Sequence, residues 1–85
     1  MDTHTITQKI KEIIAEVADL DTSEIEDRAH FIDDLQLDSL SLLEIGVDVD
    51  YEFKLGAAEE RLSKLRTIPE TVLLVEEILG ARAAA

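Results

Sequence analysis

No cysteine occurs anywhere in this chain of 85 residues. A domain of marginal size must therefore hold together by apolar packing, with no disulfide or Cys-based zinc site to help. The length allows one domain and one core. An apolar share of 46% makes that core feasible, and the spacing of the apolar residues points to helices. The missing thiol fits a reducing compartment. It also means that any thiol chemistry must use a sulfur the sequence does not encode.

Ile6, Ile10, Ile13, Ile14, Val17 and Leu20 follow the helical period, with Lys9, Lys11, Glu12 and Glu16 on the polar side. Thr3 or Thr5 is the expected N-cap, and the pattern stops at Asp19-Leu20-Asp21. A long connection then runs to about Leu37. In it, Ser23 and Glu26 have capping-box spacing for a short helical turn, and Phe31, Ile32, Leu35 and Leu37 should fold back over the core. So long a connection in a small domain often marks functional surface. A second helix is expected from Asp38-Ser39 to about Phe53. Leu42, Ile45, Gly46, Val49 and Phe53 form one stripe on it; Leu40, Leu43, Val47 and Tyr51, with Glu44, form another. A core-packing helix requires one such stripe, so the other is either buried too or meets a partner. Gly46 lies on the first, which suggests close approach to another helix.

A short third helix is expected around Ala58 to Leu65 and a last one from about Ile68 to Leu79. Thr67 and Glu70 match a capping box there, and Pro69 falls in the first turn. Ile68 precedes that proline, which pushes it away from helical angles. Gly80 is the expected stop. The sequence thus predicts an all-α fold, a small four-helix bundle of three main helices plus a short third, with a long loop between helices 1 and 2. The domain should cover residues 1–80, with 81–85 a disordered tail.

Twenty acidic and 8 basic side chains give a net charge of −12. That field disfavours nucleic acid and anionic membrane, and it attracts partners with Lys/Arg patches. The N-terminus lacks the basic and apolar regions of a signal peptide, and no apolar run approaches the roughly 20 residues that cross a bilayer. A soluble, cytoplasmic, monomeric protein is the expectation.

Conventional catalysis finds little support. His4 and His30 are the two histidines, and neither has triad or metal-site spacing. The acidic run from Asp48 to Glu52 looks like the start of a calcium loop, but Phe53 stands where that loop needs glycine. What stands apart is the segment from Phe31 to Glu44, with Leu37-Asp38-Ser39-Leu40 at its centre. A serine opening a helix has an exposed hydroxyl at the positive end of the helix dipole, where a phosphate is favoured. Asp38 can cap the same helix from the preceding position.

This segment resembles the attachment motif of acyl carrier proteins, in which a leucine-aspartate-serine-leucine core opens the second helix. Glu44, Phe53 and Thr67-Ile68 also fall where that family has glutamate, phenylalanine and threonine-valine. The resemblance covers nearly the whole chain without insertion or deletion. It implies a free-standing type II carrier, not an enzyme. Ser39 would bear a covalent 4′-phosphopantetheine, installed from coenzyme A by a phosphopantetheinyl transferase that also interacts with Asp38. The arm's thiol would hold acyl intermediates as thioesters for fatty-acid, polyketide or specialised lipid synthesis. Leu40, Leu43, Glu44, Val47 and Asp48, with Tyr51 open between partner contact and packing, would face acyl-loading, condensing and tailoring enzymes.

Gln36 departs from the family's glycine, Gly46 and Asp48 from its usual residues, and Ala57-Ala58 from its apolar-proline pair. Arg61, Lys64 and Arg66 add positive charge near the third helix. These departures leave the attachment untouched but weigh against the primary carrier of housekeeping fatty-acid synthesis. The alternatives are a peptidyl or aminoacyl carrier loaded by an adenylating enzyme, and an unmodified helical adaptor.

Overall fold

The computed structural model describes residues 2–84 of the chain. Helix α1 spans Thr3–Ala18, α2 Ser39–Phe53, α3 Glu59–Leu62 and α4 Ile68–Ala84, and a 3₁₀ turn occupies Thr22–Glu24. This is the expected all-α bundle of three main helices and a short one. Its only bridge-like pairing among the described residues joins His30 to Thr67.

Asp2, rather than Thr3 or Thr5, caps α1, because its carboxylate accepts the Thr5 amide at 2.7 Å. At the other end Asp19 turns left-handed and donates its amide to the Ala15 carbonyl. The short turn in the connection also lies earlier than Ser23 and Glu26 suggested. Asp21 accepts the Ser23 amide, and Glu24 reaches back to the Asp21 amide at 2.7 Å. The capping box is thus built on Asp21 and Glu24. Two shifts of the same kind thus favour an aspartate that lies nearer the helix start.

The core is a continuous apolar cluster. Ile6, Ile10 and Ile14 of α1 meet Leu42, Ile45 and Val49 of α2 and Val72, Leu74 and Val75 of α4. Phe31, Ile45, Ile68 and Val75 are almost completely buried. Each fully buried side chain of this size contributes about 1.5–3 kcal/mol, which is how the chain manages without a cross-link. Thr71 is the buried polar residue among them, and its hydroxyl donates to the Thr67 carbonyl at 2.9 Å.

Helix α3 is shorter than expected and ends at Leu62, with the residues to Leu65 forming turns instead. Leu62 and Leu65 are nevertheless both buried, so the apolar spacing was real and only the helical ladder stops. Gly46 explains how α3 sits. A Cβ built there would lie 3.1 Å from the Leu62 Cβ and 3.3 Å from the Leu62 carbonyl oxygen. The close approach read from the sequence is present, and it is α2 against α3.

Helix α4 corrects the other end. It does not stop at Gly80 but continues through Ala84, and Ala85 lies outside the described residues. Alanine is the strongest helix former, and Arg82 on this last stretch hydrogen-bonds the carbonyls of Lys54 and Leu55 beyond the end of α2. Gly80 costs the helix about 1 kcal/mol against alanine, too little to end it. Filling the α2–α3 contact should be far less tolerable. Gly46→Val is expected to destabilise the fold by about 1–3 kcal/mol, read as a lower urea midpoint with an unchanged slope. An unaltered midpoint would mean that α3 moves aside freely.

Candidate functional site

The beginning of α2 is set by one hydrogen bond. Asp38 has extended backbone angles, and its carboxylate accepts the Ser41 amide at 2.9 Å. The Leu42 amide then makes the first helical bond, to the Asp38 carbonyl at 3.0 Å. Ser39 is therefore the first helical residue, and it is exposed. Its own amide has no hydrogen-bond partner among the described residues, as expected for a first turn, and that of Leu40 points towards the Asp38 carboxylate. An oxygen on Ser39 thus stands at the positive end of a 15-residue helix. A phosphate ester fits there on both counts: an open hydroxyl and the positive helix end beside it.

The same surroundings offer nothing that would make Ser39 a catalytic nucleophile. The Asp38 carboxylate is held by the Ser41 amide, which lowers its pKa below the usual range. It stays charged and is a poor base. His30 is engaged elsewhere: its Nδ1 accepts the amides of Ile32 and Asp33, both at 3.1 Å.

That histidine has a structural role the sequence did not reveal. It caps the turn 31–35, and Asp34 reciprocates by accepting the His30 amide at 2.7 Å. The pair acts as a capping box made with an imidazole, four residues apart instead of three, so no standard motif flags it. From this turn the chain reaches Asp38 through Gln36, whose φ is +55°. The left-handed conformation costs a residue with a Cβ roughly 1–2 kcal/mol. Gln36 thus adopts a backbone conformation that glycine takes without that cost.

Both stripes of α2 have definite fates. Leu42, Ile45, Gly46, Val49 and Phe53 are buried. On the other stripe Leu40 is 64% exposed, Val47 50% and Tyr51 85%, while Leu43 is half-buried. Tyr51 is therefore no core residue. Glu44 and Asp48 are exposed beside them, so spacings of three and four gather Leu40, Leu43, Glu44, Val47 and Tyr51 on one face, with Asp48 at its edge. The result is an apolar strip flanked by carboxylates, running down the helix from Ser39.

Residues 8–75 match the family described as phosphopantetheine attachment site. The chain is 37% identical over 73 residues to polyketide-8 synthase acyl carrier protein 2 of Streptomyces avermitilis, covering 86% of this chain and 84% of that one. It is 38% identical over 77 residues to an acyl carrier protein of Rubrobacter xylanophilus, covering 91% and 95%. The meromycolate extension acyl carrier protein of Mycobacterium tuberculosis is 38% identical over 69 residues, which span 81% of this chain but 60% of that protein.

Two measurements test the local geometry. Asp2, Asp21 and Asp38 each have a lowered pKa, chiefly through a backbone amide of Thr5, Ser23 and Ser41 respectively. A carboxyl more acidic when folded than when unfolded adds stability that is complete above its unfolded pKa. That stability is lost as pH falls through the folded value. The thermal midpoint should therefore drop below about pH 4, and Asp38→Asn should flatten part of that drop while changing little at pH 7. Parallel curves for the two proteins from pH 7 to 3 would contradict this account. Separately, Gln36→Gly should stabilise the fold by up to about 1 kcal/mol, strain relief exceeding the extra chain entropy. That corresponds to a midpoint rise of roughly 4–8 °C.

Proposed function

The chain belongs to the phosphopantetheine-attachment family of acyl carrier proteins, and from that membership we propose that Ser39 is the residue that carries the arm. The protein is a non-catalytic carrier: it holds acyl intermediates of lipid or polyketide synthesis on a covalent 4′-phosphopantetheine. The arm supplies the terminal thiol for thioester formation, which is how a chain without cysteine takes part in thiol chemistry. Its partners are biosynthetic enzymes and the phosphopantetheinyl transferase that modifies it.

The observation that carries the assignment of Ser39 is its position as the exposed first residue of α2, with Asp38 locked as the cap. In this reading Asp38 fixes where the helix starts and presents its outer carboxylate oxygen to the transferase. The Ser39 amide and the positive end of α2 face the phosphate. Leu40, Leu43, Glu44, Val47 and Asp48 form the face on which acyl-loading, condensing and tailoring enzymes dock through basic patches. The carboxylates raise the encounter rate, and the small apolar strip gives short-range attraction without a long residence time. Tyr51 extends that strip at its far end.

We place the carrier domain at residues 1–80, with the end of α4 as an added brace. None of the helices among the described residues is long and apolar enough to cross a membrane, and an acidic monomer working in the cytoplasm is the reading that the charge supports. The names of the relatives favour a polyketide or specialised lipid cargo over an aminoacyl one, for which no observation speaks.

Incubation with coenzyme A, magnesium and a broad-specificity transferase should add the mass of one phosphopantetheine to the intact protein. Ser39→Ala should remain unmodified while keeping its helical circular dichroism. Modification of the alanine variant would move the attachment to another residue. A charge reversal at Glu44 and Asp48 should slow association with a partner synthase at least several-fold at low salt, with little effect at high salt.

A further inference from the structure

Aspartates cap α1, the 3₁₀ turn and α2, and each has a lowered pKa. Their carboxylates therefore keep accepting amides across the whole neutral range. The turn 31–35 is capped differently. His30 Nδ1 accepts the amides two and three residues ahead, those of Ile32 and Asp33, both at 3.1 Å. A ring nitrogen that accepts N–H groups carries no proton, so the imidazole is neutral with its hydrogen on Nε2. Imidazoles gain a second proton between about pH 5 and 8. On this ring it must come from solvent to Nδ1, where it turns the acceptor of both bonds into a donor.

The surroundings give that donor somewhere to point. The Asp33 carboxylate lies 3.8 Å from Nδ1, within reach of a small rotation of the ring. Asp34 accepts the His30 amide at 2.7 Å, and Glu24 and Glu26 line the same shallow hollow as Asp34. From the start of α4, Thr67 pairs with His30. Beside it, the Arg66 guanidinium is turned to the carbonyls of Ser63 and Leu65, and Glu70 accepts the Arg66 amide and the Thr67 hydroxyl. Carboxylates thus outnumber cations around the ring. Two arrangements compete: a neutral imidazole on two amides, and a charged one on Asp33.

What the cap holds is the approach to Ser39. The Gln36 amide donates to the Ile32 carbonyl, and the Leu37 amide to the Phe31 carbonyl, both at 3.0 Å. Asp38 and Ser39 follow directly. Phe31 is buried and bonded to Arg66, so it stays in place when the cap is lost. Ile32 is 43% exposed and swings out at little cost. Its movement takes the acceptor from Gln36, which then escapes its left-handed conformation and the strain that goes with it. The disturbance therefore runs along residues 32–37 towards Asp38.

We propose that His30 is a pH-dependent positioning residue for the modification of Ser39. The neutral imidazole holds the segment before α2 in order, and protonation at Nδ1 releases it. This rests on Ser39 as the attachment point. Conversion to the holo form is faster in the neutral state, because a misplaced reacting group costs rate.

Amide and ring resonances of the full unmodified chain, labelled with ¹⁵N, follow the switch directly from about pH 8.5 to 5.5. Nδ1 of His30 should be the unprotonated nitrogen at the alkaline end. The amides of Ile32 and Asp33, and those of Gln36 to Ser39, should shift with the same midpoint as the ring. In His30→Ser the hydroxyl accepts the same amides without titrating, and these shifts should vanish. The ratio of holo-conversion rates, unmutated protein over His30→Ser, cancels the transferase's own pH response. It should fall at least about three-fold across that range. Asp33→Asn, at an exposed position, removes the carboxylate that receives the charged ring and should move the amide midpoint to lower pH. It serves if the serine variant fails to fold. A proton on Nδ1 of the neutral ring, flat Ile32 and Asp33 amides while the ring titrates, shifts that stop before Leu37, or a rate ratio indifferent to pH would each overturn the proposal. Absence of any mass gain at every pH would instead overturn the Ser39 reading, and the amide titration then decides the role of His30 by itself.

Discussion

Two backbone hydrogen bonds hold the long connection to the rest of the bundle, and the geometry of Ser39 depends on them. The Phe31 amide donates to the Arg66 carbonyl at 2.7 Å, and the Ile68 amide donates to the Ala29 carbonyl at 3.1 Å. They satisfy polar groups that would otherwise be stranded where Phe31 and Ile68 are buried. They also tie the chain just ahead of α2 to the first turn of α4. The Leu37 amide then returns to the Phe31 carbonyl, so the residue before Asp38 is positioned by the same anchor. A loop of this length without such a tether would leave the start of α2 free to wander, and with it the serine.

The stability of α2 and its accessibility come from a division of labour around one helix. The buried stripe holds it against α1 and α3, and Gly46 lets α3 lie directly on it. Nothing among the described residues covers the other stripe, so Leu40, Val47 and Tyr51 remain in water at some cost in free energy. A rigid helix with an exposed apolar strip is suited to brief contacts: little conformational entropy is lost on docking, and the strip is too small for a permanent interface. The carboxylates beside it lengthen the reach of the attraction.

The sequence alone made the helical class, the four elements and the candidate serine legible. Apolar spacing of three and four residues is a local property, and it named the buried face of α2 correctly, residue for residue. The Asp38 cap was legible for the same reason, since donor and acceptor are three residues apart. The caps of α1 and of the 3₁₀ turn were misplaced because several Ser, Thr and Asp residues compete there, and only the observed bonds separate them. The end of α4 was misread because Gly80 was weighed without the alanines after it and without Arg82, whose partners lie 27 and 28 residues away.

What the sequence determined by itself is therefore the chemistry on offer: a helix opened by Asp38 and Ser39, a strongly acidic first part and no thiol of its own. The tertiary structure decided which of those residues face water and which face each other. It assigned Tyr51 to the surface, turned Gln36 into the left-handed residue of a glycine-type turn, and made His30 a cap. It also brought Arg61 of α3 against Glu77 of α4. Each of these outcomes rests on contacts between residues distant in sequence or on a backbone angle forced by packing. Periodicity and local spacing cannot encode such contacts, because they describe one segment at a time.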